Sequence, residues 1–206
     1  MDRKAIIKLI INDEWDMFQN VHNIGGRAGC QDEYATFVLM RGSQFASWPD
    51  EVIVSYLTDL EDAKSAERNL VMEKYAHMME TTDPMYYSQI SSLLPEISEN
   101  ALILAQAITE KYMVWEKEVN IRYPNVRKQG RAATPDSADG RASFKTYLQC
   151  ELMTYSERTL ALLANYILNH PEENLYLKSM EVMAKGYGYA SLDEAEKALA
   201  GMSSMF

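Results

Sequence analysis

Apolar residues recur at three- and four-residue intervals along nearly the whole chain, and that period decides the class of fold. Ile10, Met17, Phe18 and Val21 fall on one stripe of a first helix, and Tyr34, Phe37, Val38, Phe45 and Trp48 on one side of a second. Helical pattern continues to about Glu80 with a break near Ser65 to Asn69, resumes at Pro95 and runs to about Arg122. It returns from Phe144 to about His170, and two shorter helices close the chain. No segment alternates with the period of two that a half-buried strand requires. The expectation is therefore an all-α fold, one compact domain over residues 1–206 made of about seven or eight antiparallel-packed helices. Ser47-Trp48-Pro49-Asp50 reads as a stop and restart, with Ser47 as a cap and Pro49 in the next first turn. Ser191 with Glu194 three residues on reads as a capping box.

Thirty acidic and twenty basic residues give a net charge of −10. That balance disfavours a nucleic-acid backbone or an anionic membrane as partner, since either calls for a basic surface. Two cysteines, Cys30 and Cys150, are too few for a disulfide framework and lack metal-ligand spacing, which fits a reducing, cytoplasmic setting. No run approaches the ~20 apolar residues that span a bilayer. Residues 123–143 are the one long stretch without apolar period. Between Ile121 and Lys145 six basic residues stand against two aspartates. A loop of this length within a compact domain is expected to act as a basic lid.

The most informative residues are charges placed on apolar stripes. Glu14 lies four residues from both Ile10 and Phe18, and Arg41 four from both Phe37 and Phe45. Gln44 lies one turn before Trp48, Glu151 three after Leu148, and Tyr155 three after Leu152. Such spacings aim side chains at the core. An unpaired buried charge is very costly, so these groups must pair, shift their pKa values or line a wet pocket. One reading is a polar pocket in which Arg41 orients a substrate, Glu14 or Glu151 moves a proton, and Tyr155 and Gln44 supply hydrogen bonds. The other is an ion-pair network that fixes helix register.

Asn23 through Cys30, with Gly25, Gly26 and Arg27 in the run and Gln31 after it, must interrupt the first helix. Glycines let backbone N–H groups approach an anion, Arg27 offers a fork for carboxylate or phosphate, and Cys30 near a helix N-terminus is a candidate nucleophile. The plainer reading is a helix-to-helix turn. Glu73, His77 and Glu80 share a helix face at metal-ligand spacing, but no second copy of the motif accompanies them, and a solvated face is the leading reading there. No cofactor is expected, and a divalent metal at those three residues is the lesser alternative. Thirteen methionines point to a forgiving core.

The segments Glu14-Trp15-Asp16-Met17-Phe18-Gln19, Asn23 to Asp32, and Met40-Arg41-Gly42-Ser43-Gln44-Phe45 with Trp48 resemble a bacterial family known only as a domain of unknown function. Glu73-Lys74-Tyr75 with Met78-Met79-Glu80, and Glu151 with Thr154-Tyr155-Ser156, extend the resemblance over most of the chain. The resemblance implies a cytoplasmic bacterial protein and assigns no catalytic residue. Two functions follow as expectations. In the first, the chain is an enzyme or binder of a small anionic metabolite, held by Arg27 and Arg41 under the basic lid. In the second, it is a non-catalytic scaffold, a homodimer or partner-binding protein, whose inward charges are structural.

Overall fold

A computed structural model describes residues 2–22, 26–134 and 142–203, with side chains to 201, and places eleven α-helices among them. In chain order they are α1 (Arg3–Gln19), α2 (Tyr34–Ser47), α3 (Asp50–Ser65), α4 (Leu70–Thr82), α5 (Pro84–Ile90), α6 (Glu99–Arg122), α7 (Pro124–Arg127), α8 (Phe144–Leu152), α9 (Glu157–Asn169), α10 (Leu175–Gly186) and α11 (Leu192–Ser203). Short 3-10 turns cover Gly29–Asp32 and Ser91–Leu93.

The count exceeds seven or eight because capping residues cut continuous apolar patterns into shorter rods. The Phe144 to His170 pattern is two helices, broken where the Ser156 hydroxyl accepts the Thr159 N–H at 3.2 Å and opens α9. The Asp83 carboxylate accepts the Tyr86 N–H at 3.1 Å, and Pro84 fills the first position of α5, which needs no N–H there. The long α6 starts four residues after Pro95, capped by Ser98 on the Ala101 N–H. Within 123–143, expected to be irregular, four residues form α7. Ser47 does not cap. Its hydroxyl bonds to the Gln44 carbonyl at 2.7 Å, and Pro49 precedes α3 rather than entering it. Glu67, with φ +55°, reverses the chain between α3 and α4, and the Arg68 N–H closes on the Ala63 carbonyl at 2.8 Å.

Two apolar clusters organise these rods. The larger joins α1, α2, α3, α6, α8 and α9 through fully buried Ile10, Phe45, Ile53, Ile108, Leu152 and Leu163, and takes in Leu70 of α4 and Leu175 of α10. The smaller gathers Val119, Tyr123, Ala184, Leu192 and Ala195 where α6, α10 and α11 meet. Helix α10 lies along α2, and Gly186 faces Leu39, whose side chain a Cβ at 186 would have to displace. Helix α11 is fixed by Glu196, whose carboxylate accepts the Asn125 and Val126 N–H groups at the start of α7. Helix α5 buries none of its residues, and Met85 there and Leu93 just beyond are each 80% exposed. No helix among the described residues is long and apolar enough to cross a membrane.

Candidate functional site

Four charged side chains from four helices meet between α1, α2, α4 and α8. Arg41 donates from Nε and Nη2 to the two oxygens of Glu14, each at 2.6 Å, a bidentate fork. Its Nη1 donates to Glu151 at 3.0 and 3.1 Å and to Gln44 Oε1 at 2.7 Å. Lys74 donates to Glu151 Oε2 at 3.2 Å and to the Tyr147 hydroxyl at 2.8 Å. Tyr56 donates to Glu14 at 2.7 Å, and Tyr155 and Gln44 Nε2 donate to Glu151 Oε1 at 2.9 and 2.8 Å. All four charged residues are buried. Two cations therefore offset two anions, and every carboxylate oxygen accepts a hydrogen bond.

Burial alone would raise the Glu151 carboxyl, but Arg41 and Lys74 outweigh it, with Gln44 and Tyr155 assisting, and lower it from 4.5 to about 2. Burial likewise opposes the charge on Arg41, yet Glu14 and Glu151 hold its pKa well above the ordinary value. Lys74 is raised too: Tyr147 and Glu151 overcome the cost of burial. The Tyr56 and Tyr155 hydroxyls are pushed up by burial and by the carboxylates beside them. Every one of these groups is thus locked in one protonation state near neutral pH.

Arg41 and Glu151 of the quartet floor one end of a cavity of about 620 Å³. Arg41, Gln44 and Glu151 line it from α2 and α8, while Glu14, Tyr56 and Tyr155 lie behind that floor. Tyr176, Met180 and Met183 of α10 form the opposite wall, and Ala195 and Leu199 of α11 close one side. Gln129, Gly130 and Arg131, from the described part of the basic stretch, complete the rim; residues 135–141 of the expected lid lie outside the described residues. Arg127 is buried in the wall. It pairs through Nε with Glu116, and its Nη2 is buried without a hydrogen-bond partner. Arg131 is exposed, stacks over Tyr147 at 4.7 Å, donates to the Ala142 carbonyl at 3.2 Å, and has no ion pair among the described residues.

The glycine-rich segment stands apart, and none of its described residues lines this cavity. Asn23 and Gly25 lie outside the described residues. Gly26 takes φ +88° in an exposed turn. Arg27, expected to hold an anion beside Arg41, is instead engaged locally by Asp32 at 2.9 Å, Gln19 at 2.6 Å and the Gln31 carbonyl at 2.8 Å. Gln31 is fully buried and donates to the Phe18 and Val21 carbonyls, so it closes the end of α1. Cys30 is exposed on the 3-10 turn, and Cys150 is buried. Glu73 is gripped by Arg68 at 2.7 and 2.9 Å, and no cluster of three or more His, Cys, Asp or Glu among the described residues could hold a metal.

Lys74, Tyr56, Tyr147 and Arg127 are the site residues absent from the expectation. Lys74 carried a readable signal, three residues after Val71 and four before Met78. Arg127 carried none beyond its place in a basic stretch.

The fold and site define a small all-helical domain with a neutral buried charge network beside a largely aromatic and apolar cavity. The chain belongs to DUF4125, a family described as a protein of unknown function, whose profile matches residues 4–197. Comparison with curated proteins and with solved structures gave no match.

Proposed function

We propose that this protein binds a small organic anion in the cavity between α2, α8 and α10. The observation that carries the reading is the charge of the lining: among the described residues three guanidinium groups, Arg41, Arg127 and Arg131, border the cavity against one carboxylate, Glu151. A guanidinium fork suits a carboxylate or phosphate. The volume of about 620 Å³ falls in the range of small-molecule sites. The reading is binding rather than proton transfer. A general base works best with a pKa near the operating pH, and Glu151 is held at about 2 with all its acceptor positions facing donors. Two free cysteines fit a reducing, cytoplasmic setting for such a binder.

A thermal-shift screen of carboxylated and phosphorylated metabolites tests this. A ligand at a hundredfold excess over its Kd adds about 2.7 kcal/mol, which raises the Tm by roughly 5–10 °C for a chain of this size. Ser179→Trp, which places an indole in the cavity from α10, should abolish the response. A flat screen, or a shift that survives Ser179→Trp, refutes the site.

A further inference from the structure

Helix α6 is apolar on two opposite sides, and the fold buries one of them. Its inner side places Ile108, Tyr112, Trp115 and Val119 in the core. At 3.6 residues per turn, Ile103, Ala107, Glu110, Val114, Lys117 and Ile121 fall within about 40° of one line, directly opposite that buried side. All six are exposed, Ile103 by 58%, Val114 by 52% and Ile121 by 73%. Single apolar residues scattered over a surface are ordinary. Here four of six residues are apolar on the line that faces furthest from the core, where a solvated helix carries its charges.

The six follow one another at intervals of four, three, four, three and four, the alternation of a two-helix seam. The two charges on the line decide the partner and its direction. Among the described residues Glu110 bonds to Gln106 of its own helix, at 3.0 Å, and Lys117 has no ion pair. They stand about 10 Å apart along the axis, too far to pair within one helix. Against a second copy running parallel, Glu110 would face Glu110 and Lys117 would face Lys117. Against an antiparallel copy, each glutamate comes beside a lysine. A twofold axis at the level of Tyr112 sets Ile103 opposite Ile121 of the second copy, Ala107 opposite its Lys117 and Glu110 opposite its Val114. The small Ala107 side chain leaves room for the lysine stem to cross the seam and bring its ammonium beside Glu110, one turn away. The arrangement repeats on the other side of the axis, as an isologous contact requires.

We propose that α6 is a self-association surface on which a second copy of this chain packs antiparallel, joining Ile103 of each copy to Ile121 of the other and Glu110 of each to Lys117 of the other. The apolar residues supply the affinity, and the two exposed ion pairs supply the direction. From Ile103 to Ile121 the contact is about 27 Å long. One helix pair of that length is at the small end of specific interfaces, so the dimer is weak and exchanges with monomer. None of the six residues borders the cavity, and the dimer does not depend on the binding reading above.

Sedimentation equilibrium of the whole chain from about 1 µM to about 1 mM tests this, since Kd values in that range mark weak association. The average mass should climb from 23.5 kDa toward twice that value. Val114→Glu brings a second acid beside Glu110 of the other copy; it should leave the Tm unaltered and weaken the dimer at least roughly tenfold. Glu110→Lys and Lys117→Glu should each weaken it similarly, because every pair across the seam then joins like charges. An equimolar mixture of those two variants should dimerise as the parent does, since each mixed pair joins a lysine to a glutamate. A misfolded variant would not recover on mixing. A chain that stays at 23.5 kDa up to the highest concentration refutes the proposal. A dimer that Val114→Glu leaves intact refutes the face, and a mixture of the charge variants that stays monomeric refutes the antiparallel pairing.

Discussion

Replacing Glu151 by Gln removes one charge from the quartet while nearly preserving its shape. Glu151 accepts from Arg41 twice, Gln44, Tyr155 and Lys74. Its carboxyl is lowered from 4.5 to about 2 by that company. At ~1.4 kcal/mol per pH unit, this ionisation contributes about 3 kcal/mol to the folded state. The sign follows from the direction. The folded value lies below the unfolded one, so the contribution is complete above pH 4.5 and disappears as pH falls toward 2. Glu151→Gln leaves Arg41 and Lys74 facing one carboxylate instead of two. Breaking a buried pair from one side costs about 3–5 kcal/mol, which agrees with the acid-side arithmetic. Urea unfolding followed by tryptophan fluorescence measures both quantities. Near neutral pH the variant should be less stable by about 3 kcal/mol. The gap should narrow as the pH falls below the ordinary carboxylate range, because the parent then protonates the same group. Equal stability near neutral pH, or a gap that stays constant down to acid pH, refutes the account of the quartet.

Two further outcomes follow from packing. Burial pushes the Cys150 thiol up to about 12, with Glu80 adding to it, whereas Cys30 is exposed. In the native protein a thiol-reactive dye at mildly alkaline pH should therefore label Cys30 quickly and Cys150 only on unfolding; equal rates at both would contradict the burial of α8. Gly186→Val would drive a branched side chain into Leu39 where α10 meets α2, and should lower stability by about 1–3 kcal/mol in the same urea assay. An unchanged midpoint would show that Leu39 swings aside without cost.

Much of the fold was legible because helical period survives local accidents. Ile10, Met17, Phe18 and Val21 share a stripe, and all four are buried. Helix boundaries were less legible, since they rest on single caps. Ser98 and Ser156 open helices through one side-chain bond each, and nothing in the apolar pattern marks them above Pro95 or Ser47. The inward aim of Glu14, Arg41 and Glu151 could be read from spacing within each helix. Their partners could not, because which carboxylate grips the fork of Arg41 depends on how helices distant in sequence come together. Lys74 obeys the same spacing rule, but the neighbouring Glu73, His77 and Glu80 present a competing pattern on the same helix. The glycine-rich run shows the opposite failure. Its residue types suit an anion, but Arg27 and Gln31 have nearer acceptors in the end of α1 and in Asp32.

The cavity also lies on a seam. Leu148 on its lining belongs to the larger apolar cluster, and Ala184 and Ala195 belong to the smaller one built on α10 and α11. Helix α11 packs chiefly on α7 and α10, and an element held by few neighbours opens locally at less cost than the whole molecule unfolds. A molecule lodged in the cavity would touch α11 and the α2–α8 wall at once, so occupancy would tie the last helix to the main core and register there as slower opening.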